Sequence, residues 1–133
     1  MSNRYFLDTN ILLGALIASR RLDATTRELL ENRENDLMTS AVCIWEVAIK
    51  HHRYPDSTPA PADIIAVVSE FGVTLMNMTA EDCLDVARLP RLHADPYDHL
   101  ILAQARRAGA RLMTSDRVLG RYGDDVMVVK LKP

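Results

Sequence analysis

Apolar residues along this chain fall into two kinds of segment, which alternate from one end to the other. Short apolar runs of four to six residues predict five β-strands, at 4–7, 36–40, 73–78, 110–115 and 126–131. Between them, apolar residues recur at helical spacing and predict helices at about 9–19, 23–32, 40–52, 62–71, 79–89 and 96–108, with one or two turns at 116–123. Strands that alternate with helices indicate an α/β fold, with a short parallel sheet of about five strands and helices on both faces.

Polar residues, prolines and glycines mark where several of these elements begin and end. Asp23 and Thr79 are the predicted N-caps of the second and fifth helices. Pro61 suits the first turn of the fourth helix, and Gly109 is predicted to end the sixth. The segment 53–62 contains three prolines and is predicted to be a loop. Because the chain shows no repeat and no second domain, we expect one domain over the whole of its length, residues 1–133.

Composition narrows the class of protein. Hydrophobic residues make up 48% of the chain and its net charge is −2, so no overall basic field attracts nucleic acid, although a local cleft can differ from the sum. Basic residues do cluster, for example at Arg20–Arg21 and at Arg117 and Arg121, but a solvated helix face explains most such groups. Cys43 and Cys83 show no disulfide spacing, and no signal-type or membrane-spanning apolar segment occurs. These features predict a cytoplasmic protein.

Two acidic residues directly follow predicted strands. Asp8 follows the first strand, and Asp116 follows the strand at 110–115. Ligands of an open parallel sheet bind beyond the carboxyl ends of the strands, so these two carboxylates face one another if their strands are neighbours. Two more acids, Glu46 and Asp98, lie on predicted helices among apolar residues.

Each of these acids also has a purely structural explanation, and taken one residue at a time that explanation is the better one. Asp8 and Asp116 are suited to cap the helices that follow them. Asp98 complements the dipole in the first turn of its helix. Glu46 and Lys50 have the i,i+4 spacing of an ion pair on an exposed helix face. The individual residues therefore leave both interpretations open.

Taken together, the four acids favour a metal site. Buried carboxylates need a partner, and four of them close together repel one another strongly. A divalent cation is the simplest partner, and an all-oxygen set of ligands suits Mg²⁺ or Mn²⁺ rather than zinc. A metal held in this way activates water and stabilises a displaced phosphate oxygen. The predicted chemistry is therefore hydrolysis of a phosphodiester bond.

Four segments in chain order resemble the successive motifs of the PIN domain, and in particular those of VapC-type toxins from bacterial type II toxin–antitoxin pairs. They read FLDTNILL, TSAVCIWEVAIK, LHADPYDHLILAQA and LMTSD, and together they extend over nearly the whole chain. The resemblance implies a metal-dependent endoribonuclease toxin whose cofactor is Mg²⁺ (or Mn²⁺). It also implies a cytoplasmic homodimer that a VapB-like antitoxin holds silent by occupying the active-site groove.

The resemblance assigns roles to particular residues. The acidic quartet that binds the metal and carries out catalysis falls on Asp8, Glu46, Asp98 and Asp116. Polar residues that support such a site fall on Asn10, Ser40 and Thr114. Among these, the amide of Asn10 is expected to orient Asp8.

Several neighbouring residues have less direct assignments. His99 stands where the related motif commonly has arginine, and we expect it to point to solvent rather than to contact a phosphate. Asp95 is assigned to helix capping, and His93 to a hydrogen bond within its loop. Trp45 is expected in the core or in a dimer interface.

Two other functions compete with that of a nuclease. A catalytically silent PIN-like module would bind RNA or protein without cutting, and a complete acidic quartet argues against it. A phosphatase or phospho-receiver also has an acid after its first strand, but the phosphatase pattern needs an acid at position 10, where this chain has Asn10. Binding of Mn²⁺ is the property that separates a nuclease from the silent module.

Overall fold

The predicted parallel sheet is present and has five strands in the part of the chain that the structure describes. The structure is a computed structural model that describes residues 3–92 and 95–133. The strand order is β3-β2-β1-β4-β5, and every neighbouring pair is parallel. The strands are β1 (Arg4–Leu7), β2 (Asp36–Ser40), β3 (Thr74–Met76), β4 (Arg111–Thr114) and β5 (Val126–Val128). The α/β fold predicted from the alternating pattern is thereby confirmed.

Helices connect the strands, as the helical spacing of apolar residues predicts. The described α-helices are α1 (Thr9–Leu16), α2 (Ala24–Glu31), α3 (Ala41–Arg53), α4 (Pro61–Glu70), α5 (Ala80–Val86) and α6 (Pro96–Arg107). Short 3₁₀ helices follow α1, at Ser19–Arg21, and β4, at Leu119–Tyr122. Among the described helices, none combines the length and the apolar character that crossing a membrane requires.

The two strands at the centre of the sheet form the middle of the hydrophobic core. Phe6 and Leu7 on β1 and Leu112 and Met113 on β4 are at most 1% exposed. They come from continuous apolar runs, which is the pattern of a parallel strand covered on both faces. Leu7 pairs with Met113, so the carboxyl ends of β1 and β4 lie side by side. This adjacency decides which polar residues meet at that edge of the sheet.

Side chains cap the helices where the sequence places them. The Asp23 carboxylate accepts a hydrogen bond of 2.7 Å from the backbone N–H of Thr26 at the start of α2. At the start of α5, Thr79 and Asp82 accept hydrogen bonds from each other's backbone N–H groups in a capping box. Gly109 follows α6 with a φ of +66°, a conformation that a side chain disfavours. These predicted helix ends are confirmed.

The last strand is shorter than its apolar run. The pattern predicts a strand over 126–131, whereas β5 ends at Val128. Val129 still donates a backbone hydrogen bond of 2.7 Å to the carbonyl of Thr114, but Lys132 donates one of 2.7 Å to the carbonyl of Arg21. Because β5 is at the edge of the sheet, the chain after it is able to turn towards the 3₁₀ helix at Ser19–Arg21 rather than extend the ladder.

Candidate active site

Asp8 lies at the carboxyl end of β1 and is the N-cap of α1. Its Oδ1 accepts a hydrogen bond of 2.9 Å from the backbone N–H of Ile11. Its Oδ2 accepts a hydrogen bond from the hydroxyl of Thr114, at the end of the neighbouring strand β4. Both carboxylate oxygens are thus fixed, and the residue is only 5% exposed. The capping explanation of Asp8 is correct, and it does not exclude a second role.

Thr114 connects Asp8 to the turn that follows β4 and contains Asp116. The Thr114 hydroxyl, which donates to Asp8, also accepts a hydrogen bond of 3.1 Å from the backbone N–H of Asp116. Asp116 Oδ1 in turn accepts one of 2.9 Å from the backbone N–H of Val118. The side chain of Thr114 is fully buried, so it holds this turn and the Asp8 carboxylate in a fixed relation.

Glu46 lies on α3, and its carboxylate is held from two sides. The Thr9 hydroxyl donates a hydrogen bond of 2.7 Å to Oε1, and Lys50 Nζ lies 3.1 Å from Oε2. The Glu46 side chain is 18% exposed, so the predicted i,i+4 pair with Lys50 lies at a partly buried edge rather than on an open helix face. The helix predicted at about 9–19 makes Thr9 a helix-start residue only. Its position directly after Asp8 was the available signal for a role in the site.

The electrostatics of Asp8 show that the acids act on one another. Burial is the largest influence and raises its pKa from 3.8 to about 6, although the hydrogen bonds from Thr114 and Ile11 favour the charged form. The negative charges of Glu46 and Asp116 act in the same direction as burial and contribute to this raised value. Glu46 on α3 and Asp116 after β4 are therefore each close enough to Asp8 to repel its carboxylate.

The fourth acid, Asp98, is half-buried in the first turn of α6. Asp95 begins that helix, and its Oδ1 accepts a hydrogen bond of 2.9 Å from the backbone N–H of Tyr97, which confirms its capping assignment. Within residues 3–92 and 95–133, no three Asp, Glu, His or Cys side chains converge closely enough to hold a metal ion. The structure therefore groups Asp8, Glu46 and Asp116 without a preformed metal cage among the described side chains.

Two more residues, Asn10 and Ser40, are predicted to support the site. Asn10 lies on the surface, and Ser40 is buried at the start of α3. Asn10 is exposed and lines a groove beside the acids, rather than orienting Asp8 from a buried position. Ser40 is fully buried, caps α3 by accepting a 2.9 Å hydrogen bond from the backbone N–H of Val42, and donates its hydroxyl to Gln104. Ser40 therefore acts on the site indirectly, by capping α3, the helix that carries Glu46.

Gln104 is a residue that sequence reasoning missed. It is 4% exposed on α6, where its Oε1 accepts from Ser40. Its Nε2 donates to the backbone carbonyl of Asn77 at 3.1 Å and to Asp82 Oδ2 at 3.2 Å. This amide joins the start of α3 to α6, and so it helps to fix the relative position of the two helices that carry Glu46 and Asp98. A glutamine among the apolar residues of a helix was the available signal.

His99 does not point to solvent, so that prediction is wrong. The residue is half-buried, and its Nε2 lies 3.2 Å from the hydroxyl of Tyr122. The same hydroxyl donates a hydrogen bond of 2.8 Å to the carbonyl of Pro90 and accepts one of 3.2 Å from the backbone N–H of Leu92. The 3₁₀ helix at Leu119–Tyr122 brings Tyr122 to this position. His93 lies outside the described residues.

Comparison with known proteins identifies the family and the fold. The family model described as PIN domain matches residues 5–125. Among solved structures, VapBC2 from Rickettsia felis bound to a DNA fragment from its promoter has a TM-score of 0.69 at 18% identity, over 97% of this chain and 99% of that chain. VapC20 of Mycobacterium tuberculosis, a sarcin-ricin loop cleaving toxin, has a TM-score of 0.65 at 19% identity, over 95% and 98% of the two chains.

A third structure agrees with these two. A toxin–antitoxin complex from Klebsiella pneumoniae has a TM-score of 0.67 at 18% identity, over 93% of this chain and 96% of that chain. No curated protein matches the chain. At these identities the structural likeness establishes the fold, and the match to the family model extends over most of the sequence.

Proposed function

The chain belongs to the PIN domain family, and from that premise we propose that it is a metal-dependent endoribonuclease of the VapC toxin type. The observation that supports this most directly is the buried Asp8 carboxylate, whose pKa is raised to about 6 beside Glu46 and Asp116. Such a cluster weakens the fold unless a cation offsets the repulsion. Structural neighbours described as VapBC and as a sarcin-ricin loop cleaving toxin support the same function.

The oxygen donors of the predicted ligands, rather than a preformed cage, favour a divalent cation of the Mg²⁺ or Mn²⁺ type. Carboxylates provide only oxygen ligands, which these hard cations prefer. We assign the ligands to the predicted quartet of Asp8, Glu46, Asp98 and Asp116. The charges of Glu46 and Asp116, which reach Asp8, support this assignment for three of its members. When bound, the cation supplies an activated water and neutralises charge on the phosphate oxygens.

The residues around the quartet have the task of holding it. Thr114 and the N–H of Ile11 fix the two oxygens of Asp8, so its carboxylate keeps one orientation. Thr9 does the same for Glu46. Lys50 Nζ lies 3.1 Å from Glu46 Oε2 and restrains the carboxylate from a second side. Preorganised ligands lower the cost of ordering the site when a cation and a substrate bind.

The silent binding module has one observation in its favour. Glu46 is already engaged by Thr9 and Lys50, so a protein without metal would keep this arrangement unchanged. Calorimetric titration with Mn²⁺ separates the two functions, because the silent module would give no heat of binding at the quartet.

The proposed function is tested with purified protein, freed of any partner, structured RNA and Mn²⁺ or Mg²⁺. We expect cleavage by the native chain, and its loss in Asp8→Asn and Asp98→Asn. Asp63→Asn is the matched control, because Asp63 and Asp98 each follow a first-turn proline in their helices, and Asp63 is exposed on α4. Equal cleavage by the Asp98 and Asp63 variants would remove Asp98 from the quartet, and activity in Asp8→Asn would refute the site.

Two protein partners follow from the same proposal. A VapB-like antitoxin would silence the site by placing a basic side chain against the carboxylates, as the grouping of Asp8 and Asp116 permits. A homodimer would cover apolar surface on α3, where Trp45 and Ile49 are 51% and 44% exposed at i,i+4 spacing. The Trp45 ring packs edge-on against Tyr97, with 5.0 Å between the ring centroids. Because Trp45 is exposed, it is not a core residue, and of its two predicted locations the dimer interface remains. Light scattering tests the dimer.

A further inference from the structure

A groove with a volume of about 460 Å³ opens beside the acids at the carboxyl edge of the sheet. On the side of the acids it is lined by Asn10, two residues after Asp8, and by Ser115, which directly precedes Asp116. It is also lined by Arg21, Arg117 and Lys130, together with other residues at and after the end of β5. We call it the β5 groove. A larger cavity of about 670 Å³ lies at the opposite edge, before β2 and β3, away from the acids.

The β5 groove concentrates positive charge in a protein whose net charge is −2. Its lining contains three cationic side chains, those of Arg21, Arg117 and Lys130, and no carboxylate. All three are exposed. The ion pairs within residues 3–92 and 95–133 are formed by other cations, so these three charges are not neutralised by a carboxylate there. A concave surface lined by charges of one sign attracts an anion.

Specific hydrogen bonds hold in place the segment after β5 that lines the groove. After β5, the N–H of Val129 donates to the carbonyl of Thr114 at 2.7 Å, and the N–H of Lys132 donates to the carbonyl of Arg21 at 2.7 Å. Arg21 Nε donates to the carbonyl of Lys132 at 3.0 Å. These bonds hold the backbone on both sides of Lys130 and anchor the Arg21 guanidinium. An anchored guanidinium loses less conformational entropy when it binds a ligand.

We propose that the β5 groove binds the phosphodiester backbone of single-stranded RNA on one side of the scissile bond. The inference rests on the proposed function and extends it to named residues. Charge changes sign between neighbouring residues, from Asp116 to Arg117. A polyanion with repeated phosphates fits this change of sign, because the acids would hold the proposed cation close to one phosphate while the basic groove would contact another part of the same strand. An acidic protein segment would satisfy the groove but not the carboxylates beside it.

Contacts to phosphates position a nucleic acid without reading its bases. The groove is therefore assigned to affinity and to the direction of the RNA strand, not to the choice of cleavage sequence. Removing its cations should weaken binding to all RNA sequences alike, and should leave the cleavage positions unchanged.

The test measures binding of a 5′-labelled single-stranded RNA by fluorescence anisotropy over a series of salt concentrations, with EDTA present to prevent cleavage. The test variant is Arg117→Ala/Lys130→Ala. The control is Arg33→Ala/Arg53→Ala, which makes the same change in net charge at exposed positions outside the groove. Each lost phosphate contact should lower the slope of log affinity against log salt by about 0.7, so we expect a decrease of about 1.4 in the test variant only.

The outcomes distinguish this inference from the function on which it rests. A reduced slope and a raised KM for RNA with kcat retained, both restored by Arg117→Lys/Lys130→Arg, would support the groove. A test variant with the native slope would overturn it, and so would one that loses only antitoxin binding. If the native chain neither binds nor cleaves RNA with Mn²⁺ present, the proposed function fails and takes the inference with it. If the native chain cleaves RNA but the test variant has the same salt slope and KM as the control variant, the proposed function stands and only the assignment of the groove fails.

Discussion

Replacing Asp8 by asparagine should stabilise the metal-free protein at neutral pH, although it abolishes the proposed metal ligand. Burial raises the Asp8 pKa from 3.8 to about 6, and the charges of Glu46 and Asp116 act in the same direction. Between these two pKa values the folded protein binds more protons than the unfolded chain, so the free energy of unfolding falls as pH rises. At about 1.4 kcal/mol for each pH unit, the ionised carboxylate costs about 3 kcal/mol above pH 6.

The Asp8→Asn variant escapes this cost while keeping the local hydrogen bonds. Asparagine is as good an N-cap as aspartate, so its carbonyl is able to accept from Ile11. Its amide would face the Thr114 hydroxyl, which both donates and accepts. We expect the variant to be more stable than the native chain by up to about 3 kcal/mol at pH 7.5, or roughly 10 °C in Tm, and by about 1 kcal/mol at pH 4.5.

The assay is thermal and urea denaturation followed by circular dichroism in EDTA, at pH 7.5 and pH 4.5, and then with Mn²⁺ added. Mn²⁺ should raise the Tm of the native chain and leave that of Asp8→Asn unchanged, because a ligand stabilises only the state that binds it. Asp63→Asn controls for the removal of an exposed carboxylate in a first helical turn. A variant less stable than the native chain at pH 7.5, or a difference that does not change with pH, would refute the reasoning.

Two further predictions concern residues other than the acids. Ellman's reagent should modify one thiol per folded chain, at exposed Cys83, because Cys43 is buried and burial raises its pKa to about 11; rapid modification of two thiols before unfolding would contradict this. Gln104→Leu should lower the free energy of unfolding by about 2 kcal/mol, measured by urea denaturation, because Ser40 and Asp82 each lose a buried hydrogen-bond partner. An unchanged urea midpoint would show that this amide does not join the helices.

The sequence was sufficient for those features that depend on neighbours along the chain. Apolar runs and helical spacing predicted the strands and helices, because periodicity reports directly which faces are buried. Asp23, Thr79 and Asp95 were predicted as helix caps, since a cap bonds to backbone groups two or three residues away. The i,i+4 pair of Glu46 and Lys50 is local for the same reason.

Other local features were predicted less well, because tertiary contacts changed them. The run at 126–131 is predicted as one strand, but hydrogen bonds in both directions between Lys132 and Arg21 turn its last residues away from the sheet. His99 was predicted to face solvent, whereas Tyr122, 23 residues further along the chain, covers it. In both cases the partner comes from a segment that periodicity does not relate to the residue in question.

The sequence by itself determined that four acids, Asp8, Glu46, Asp98 and Asp116, stand at ends of strands and on helices of an α/β fold. Only the tertiary structure decided that β1 and β4 are neighbours, and that Thr114 therefore holds the Asp8 carboxylate. It also decided that the charges of Glu46 and Asp116 fall on a buried group. The physical reason is that helix caps depend on residues two or three positions apart, whereas repulsion and burial depend on distances set by strand order, which no local pattern encodes.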